Sequence, residues 1–151
     1  MIRKIDNCDK EIYIEMADEF YHSSAVTHPV PRENFEKAFD HMVNDGTYFD
    51  GYIFEDNCET CGFCAVAVSY SQEAGGQVIW IEDVYIRPDF RGKGLGSELF
   101  DRIKEDFPDA ARYRLEITES NVDAKRLYER KGFEILPYRH CLLYTSPSPR
   151  D

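Results

Sequence analysis

Ile12, Met16 and Phe20 recur at every fourth position, with Tyr13, Ala17 and Tyr21 beside them. Such spacing puts one apolar stripe along a helix. Ahead of it Ile2–Ile5 reads as a short strand, and Asp6 or Asn7 can cap the helix. The run Ser23–Pro31 breaks the period. Its two prolines cannot sit inside a helix, so it is a loop. Phe35, Ala38, Phe39, Met42 and Val43 then predict a second helix from Arg32 to Asn44, ended by Asp45-Gly46.

The pattern next changes to strands. Tyr48–Phe54 and Phe63–Tyr70 are rich in aromatic and β-branched residues and flank the polar turn Glu55–Gly62. Ala74-Gly75-Gly76 is a second turn. Gln77–Arg87 is a third strand, apolar except for Glu82 and Asp83. Pro88 to Gly96 is a loop, and Leu95, Leu99 and Ile103 mark a helix that stops before Pro108. Tyr113–Thr118 is a strand. Ser120-x-x-Asp123 reads as an acidic capping box opening a helix to about Lys131. Gly132 would end that helix, and Phe133–Leu136 returns as a strand. The order β-α-α-β-β-β-α-β-α-β predicts an α/β fold with a mixed, mostly antiparallel sheet and helices on both faces.

The 151 residues fit one domain, expected over residues 1–141. The tail 142–151 carries two Ser-Pro steps and no periodicity. It resembles a translated sequencing adapter and is expected to be foreign or disordered. The net charge of −11 disfavours nucleic-acid backbones and anionic membranes and favours cationic small molecules. No apolar run is long enough to span a membrane. The charged start does not read as a signal peptide, which places the chain in the cytoplasm with its 5 cysteines reduced.

Arg91-Gly92-Lys93-Gly94-Leu95-Gly96 joins a strand to a helix. Glycines there let backbone N–H groups turn to an anion, and the helix start adds a positive dipole end. The loop would suit a pyrophosphate, with Arg91 and Lys93 as nearby cations. It is not a Walker A loop, because Gly94 follows Lys93. Nor is it a dinucleotide fingerprint, because Ser97 stands where the third glycine belongs.

Ile81–Gly96 closely resembles motif A of the GCN5-related N-acetyltransferases, whose core Arg/Gln-x-x-Gly-x-Gly/Ala is met by Arg91, Gly94 and Gly96. Asn121–Phe133 resembles their motif B through Asn121, Ala124, Tyr128 and Gly132-Phe133. The resemblance implies the acyl-CoA N-acyltransferase fold, acetyl-CoA as co-substrate and a primary amine as acceptor. By position it implies that the amides of Gly92–Gly96 hold the CoA pyrophosphate. Backbone groups of Val84, Tyr85 and Ile86 would pair with the pantetheine arm. Asn121 would stand beside that arm and Tyr128 near the thioester sulfur.

An alkyl amine is almost wholly protonated at pH 7, so attack needs a proton acceptor. Glu82 and Asp83 are the candidates. Adjacent strand residues point to opposite faces, so ordinarily one of them faces the substrate, unless a bulge reorients the other. The family's usage favours Glu82 as base and leaves Asp83 to bind substrate. A carboxylate in so apolar a run is expected in the interior, where it is costly unless it is paired. Tyr128 shares a helix face with Ala124 and Asn121 and can donate to the leaving thiolate as general acid. Tyr21, His28, Tyr70 and Tyr138 are candidates for the acceptor cleft.

Cys58-x-x-Cys61-x-x-Cys64 lacks a second ligand pair, so no metal is expected. The expected partners are a small-molecule amine (polyamine, amino sugar or amino-acid-like) and, as an option, a second copy of the chain in a homodimer. Two rival functions stand beside this one: a non-catalytic acyl-CoA sensor and a peptide or protein N-acetyltransferase.

Overall fold

The computed structural model describes residues 1–24 and 28–145. Its elements are β1 (Ile2–Lys4), α1 (Lys10–Tyr21), α2 (Arg32–Asn44), β2 (Phe49–Asp56), β3 (Glu59–Ser71), β4 (Gly76–Ile86), α3 (Leu95–Asp106), β5 (Arg112–Leu115) and α4 (Val122–Arg130). The strands form one mixed sheet in the order β1-β2-β3-β4-β5. The first three pairings are antiparallel and β4–β5 is parallel. A parallel pair needs a crossover, and α3 supplies it.

Each face of the sheet buries its own core. On one face Ile53, Phe63, Ala65 and Tyr85 pack against Tyr13, Met16 and Phe20 of α1 and Phe35 and Phe39 of α2. On the other, Tyr52, Cys64, Val66, Ile79 and Ile81 pack against Leu99, Phe100 and Ile103 of α3. Of the predicted α1 stripe, Tyr13, Met16, Ala17 and Phe20 are buried and Ile12 and Tyr21 half-buried, while Ile14, outside the pattern, is buried too. Asp9, just before α1, is buried, and it accepts two 2.8 Å hydrogen bonds from the Arg3 guanidinium. That bidentate pair ties β1 to the start of the helix.

The structure departs from the sequence reading at several places. The first hairpin turns on Asn57 and Cys58 alone, with φ of 50° and 64°, so β2 and β3 run further than their apolar patterns. A two-residue turn with both φ positive matches the twist of its strands. β5 ends at Leu115 rather than Thr118. Phe133–Leu136 forms no strand: Phe133 packs against Phe100 and Tyr128, while Glu134, Ile135 and Leu136 are exposed and irregular. Of the tail, residues 142–145 are irregular, and residues 146–151 lie outside the described residues. Among the described residues no helix is long and apolar enough to cross a membrane.

Gly62 sits where β3 passes the end of β4. A Cβ there would fall 2.4 Å from the Tyr85 carbonyl oxygen and 2.7 Å from the Phe54 ring. Backbone cannot yield as a flexible side chain can. Gly62→Ala is therefore expected to lose about 1–3 kcal/mol of stability. Chemical denaturation checks this, and an unchanged midpoint would refute the close approach.

Candidate active site

The site begins with an extra residue in β4. Ala65 of β3 faces Asp83 and Val66 faces Ile81, so Glu82 has no partner. This is a β-bulge, and it resets the alternation of the strand. Ile79 and Ile81 point towards α3. Beyond the bulge Val84 and Ile86 take that side, and Tyr85 turns to α1. Trp80, Glu82 and Asp83 consequently share the α1 face. The expectation that only one carboxylate can face a substrate gives way to both.

The two carboxylates differ in environment. Asp83 is half-buried and accepts a 2.7 Å hydrogen bond from the Tyr21 hydroxyl at the end of α1. Burial pushes its pKa up, and the Tyr21 hydroxyl partly opposes this. Glu82 reaches solvent, which corrects the expectation that it lies in the interior. Its pKa is also raised, first by the burial of its carboxyl and then by the charges of Asp83 and Glu116. Glu116, just past β5, escapes sequence reasoning, because an exposed acid after a short strand carries no signal of its own. Tyr21 is held well above an ordinary phenol by burial and by Asp83, so it stays a donor.

Beside the bulge the sheet opens. β5 pairs with β4 only from Val78 to Ile81. The Arg87 amide donates to the Cys61 carbonyl at 2.8 Å. Antiparallel alternation then turns the backbone groups of Tyr85 into the β3 ladder and those of Val84 and Ile86 towards the open edge. Tyr85 is thus corrected as a cofactor contact: its ring is in the α1 core and its hydroxyl donates to Glu19 at 2.9 Å. Val84 and Ile86 keep the predicted role within reach. The Ile86 carbonyl accepts a 2.8 Å hydrogen bond from Arg91 Nε, which draws the guanidinium across that edge.

The glycine loop comes next along the chain. Gly92 and Gly94 have φ of 76° and 85°, and a Cβ on either would meet nothing within 4 Å. Among the described residues the amides of Gly92 through Ser97 donate to no carbonyl or side chain. Unpaired amides at the start of a 12-residue helix suit an anion, so the loop fits a pyrophosphate. Leu95 supplies only backbone, since its side chain is core. Lys93 points elsewhere, to Asp56 at 2.8 Å, which corrects its assignment as a phosphate cation. Gly96 is buried, and a Cβ on it would lie 2.7 Å from Leu127. Its lack of a side chain lets α4 approach α3.

That approach positions Tyr128. The ring packs edge-on to Phe100, 5.6 Å between centroids, and burial raises the hydroxyl to about 12. Cys64, which also influences it, is the cross-strand partner of Val84. Tyr128 and Val84 thus pack against the same core cluster, and the phenol keeps its proton. Asn121, not Ser120, caps α4: its Oδ1 accepts from the Ala124 amide at 3.3 Å. Thr118 occupies the Ser120 hydroxyl at 3.4 Å.

Of the cleft candidates, Tyr21 alone is joined to the carboxylates among the described residues. Tyr70 lies on the α3 face at the far end of β3, paired with Gln77 and 75% exposed, so it is excluded from a cleft on the α1 face. His28 stands against the Tyr144 ring, 5.7 Å between centroids. Tyr138 lines a groove of about 750 Å³ along β5 and α4, which it shares with Tyr128. Cys61 and Cys64 are buried while Cys58 is exposed in the hairpin turn.

The mixed sheet, with its open edge and crossover helix, is a fold of the acyltransferase kind, and comparisons with known proteins agree on the fold. The acetyltransferase (GNAT) family model matches residues 10–133, and the chain belongs to that family. Thialysine N-epsilon-acetyltransferase of Bos taurus is 30% identical over 81 residues, 50% of this chain and 48% of the relative. The chain thus spans about half the length of that relative. A putative [ribosomal protein bS18]-alanine N-acetyltransferase of Bacillus subtilis is 26% identical over 83% of this chain and 79% of its own. The solved structure of AAC(6')-Iy with the bisubstrate analogue CoA-S-monomethyl-acetylneamine shares the fold at TM-score 0.76, with 13% identity over 98% of each chain.

Tyr21→Phe would leave the buried side of Asp83 without its donor and raise that carboxyl further. A carboxyl with a raised folded pKa weakens the fold as pH rises through that value, because the charged form is the one disfavoured. The variant should lose about 1–3 kcal/mol at neutral pH and less in acid, where Asp83 is protonated. Denaturation across pH checks this. A loss of equal size at every pH would mean that the hydroxyl acts only by packing.

Proposed function

We propose that this chain transfers an acetyl group from acetyl-CoA to a primary amine of a small molecule, by direct attack while both are bound. The observation that carries the reading is the bulge at Glu82. It turns two carboxylates to one face beside an open backbone edge, which runs straight into a glycine loop of unpaired amides. The named relatives support an amine acceptor, yet they differ in kind: a lysine analogue, a protein alanine and an aminoglycoside derivative.

The fit of Gly92–Ser97 to an anion, and of the Val84 and Ile86 edge to an extended amide arm, supports acetyl-CoA as the donor. Bound there, it would supply an activated thioester. The amides of Gly92 and Gly94 would bind the pyrophosphate, and Asn121 would hold the start of α4 beside the arm. Asp83, fixed by Tyr21, would attract the substrate ammonium. Glu82 would take its proton; its raised pKa makes it a better base, and its solvent contact gives the proton a way out. The Val84 N–H, which points to the open edge, would hold the charge that grows on the carbonyl oxygen. Tyr128 would donate to the departing sulfur, whose ordinary pKa near 8.5 lies well below that of the phenol, so hydrogen bonding rather than full proton transfer is its easier contribution.

Glu82→Gln keeps size and removes basicity. We expect kcat/KM on an accepted amine to fall by about 10²–10⁴ at neutral pH, and the acid limb of the wild-type pH profile to vanish. That limb should lie above the ordinary carboxylate range, since Glu82 must lose its proton to act and its pKa is raised. Stability at neutral pH should stay equal or rise, because a charge disfavoured by burial and by two neighbouring acids has gone. Wild-type turnover in the variant would pass the base to Asp83 or to water.

Gly94→Glu tests the donor. It puts a charge and a Cβ at a left-handed position where the phosphates would lie. CoA affinity by calorimetry should be lost with the circular dichroism unchanged. Retained affinity would sink the loop assignment.

A further inference from the structure

One two-residue step back from Glu82, on the same face of β4, stands Trp80. Its neighbour across the parallel pair is Arg114 of β5. The Arg114 guanidinium carbon lies 4.3 Å from the centroid of the Trp80 ring. One step forward from Arg114, Glu116 is the acid that influences Glu82. The face therefore carries two rows. Glu82, Asp83 and Glu116 make a row of carboxylates, and a cation on an aromatic floor lies about 7 Å away along the strands.

Arg114 differs from the other arginines in the sheet and at its strand ends. Arg3, Arg87 and Arg112 are each paired with a carboxylate. Among the described residues the Arg114 guanidinium has no carboxylate within 4.0 Å and donates no hydrogen bond, in a chain of net charge −11. Glu116, the acid nearest along β5, is instead 3.0 Å from His140 Nδ1. The His140 ring stands edge-on to Trp80, 6.2 Å between centroids, and walls one side of the floor. Stacked on an indole, a guanidinium keeps its donors in plane and sideways, in the fork that matches a carboxylate.

We propose that Arg114, held on Trp80, is a subsite for a carboxylate of the acceptor. The acceptor is then amino-acid-like, with a primary amine at one end and a carboxylate at the other, rather than a polyamine. This rests on the reading of Glu82 and Asp83 as the amine site. A polyamine would bring a second ammonium against Arg114, whereas a carboxylate would pair with it. The two classes are separated by attraction and repulsion at one residue.

The test uses 6-aminohexanoate and hexylamine, which differ only in a carboxylate against a methyl group. With acetyl-CoA, the wild-type chain should favour 6-aminohexanoate in kcat/KM. Arg114→Gln should lower the ratio of the two kcat/KM values by about 10- to 100-fold, the usual weight of a charge-assisted pair. Arg114→Lys should restore part of that ratio, because it keeps the charge and loses the fork. A ratio unmoved by Arg114→Gln, or a wild-type preference for hexylamine, overturns the subsite. If neither amine releases thiol although CoA binds, the proposed reaction fails. The subsite is then read by calorimetric binding of the two amines to the CoA-loaded chain, where equal affinities overturn it.

Discussion

A single unpaired residue in β4 organises the site. A strand without the bulge would alternate strictly, sending Glu82 and Asp83 to opposite faces. With Glu82 extra, both carboxylates come to the α1 face, where Asp83 meets Tyr21, and the apolar alternation is kept on either side by Ile81 before and Val84 after. A bulge also bends and twists its strand. Parallel pairing to β5 stops at Ile81, the residue before the bulge. The same local insertion therefore aims two acids and opens the edge beside them.

The glycine loop and α4 can be placed only if that opened end is held still. α1 is joined to β4 twice. Tyr21 donates to Asp83 at the bulge, and Glu19 receives Arg87 at 2.9 Å and the Tyr85 hydroxyl at 2.9 Å at the end of the strand. Arg87 also reaches Glu15, at 2.8 Å. Exposed pairs of this kind contribute little singly, but a half-buried guanidinium shared by two carboxylates one helical turn apart fixes an orientation. The glycine loop leaves from that anchored point. On its far side Gly96 admits Leu127, so the loop that would bind phosphate also sets how close α4, with Tyr128, can come.

The long periodic elements were legible in the sequence because burial and period coincide there. Most of the α1 stripe and the whole Leu95-Leu99-Ile103 ridge of α3 are buried; Ile14 and Phe100 join them from the flank of each stripe. The glycine loop, the acidic pair and Tyr128 stand out as candidates in the sequence because motif and chemistry agree. The rest was set by contacts the pattern does not encode. Whether Lys93 faces a ligand or Asp56 depends on where the β2–β3 hairpin tip lands, and that tip turns on Asn57 and Cys58 rather than on the whole polar run from Glu55 to Gly62. Tyr85 and Tyr70 failed as site residues for a register reason: one carries its backbone into the β3 ladder, and the other falls on the opposite face. A bulge is an option for an acidic pair in such a strand, but nothing in Glu82-Asp83 says which residue would be the extra one.

The different surroundings of the two acids argue for a division of labour. Asp83 is held by a donor from a packed helix, which fixes its position and keeps its second oxygen poised. A fixed, half-buried anion is suited to drawing in an ammonium, but it has no easy route for a proton to leave. Glu82 has the opposite properties, with a charge destabilised by two neighbouring acids and a side chain that reaches water. In the proposed reaction an ammonium drawn in by this acidic row would have its own charge stabilised there and would offset part of the repulsion that raises the Glu82 pKa. Transfer of the proton to Glu82 would neutralise one of three crowded acids. The acidic row therefore acts on both partners: it would attract the ammonium and also raise the basicity of Glu82, so the water that reaches Glu82 is what would let the proton leave and keep the amine neutral beside the open edge at Val84.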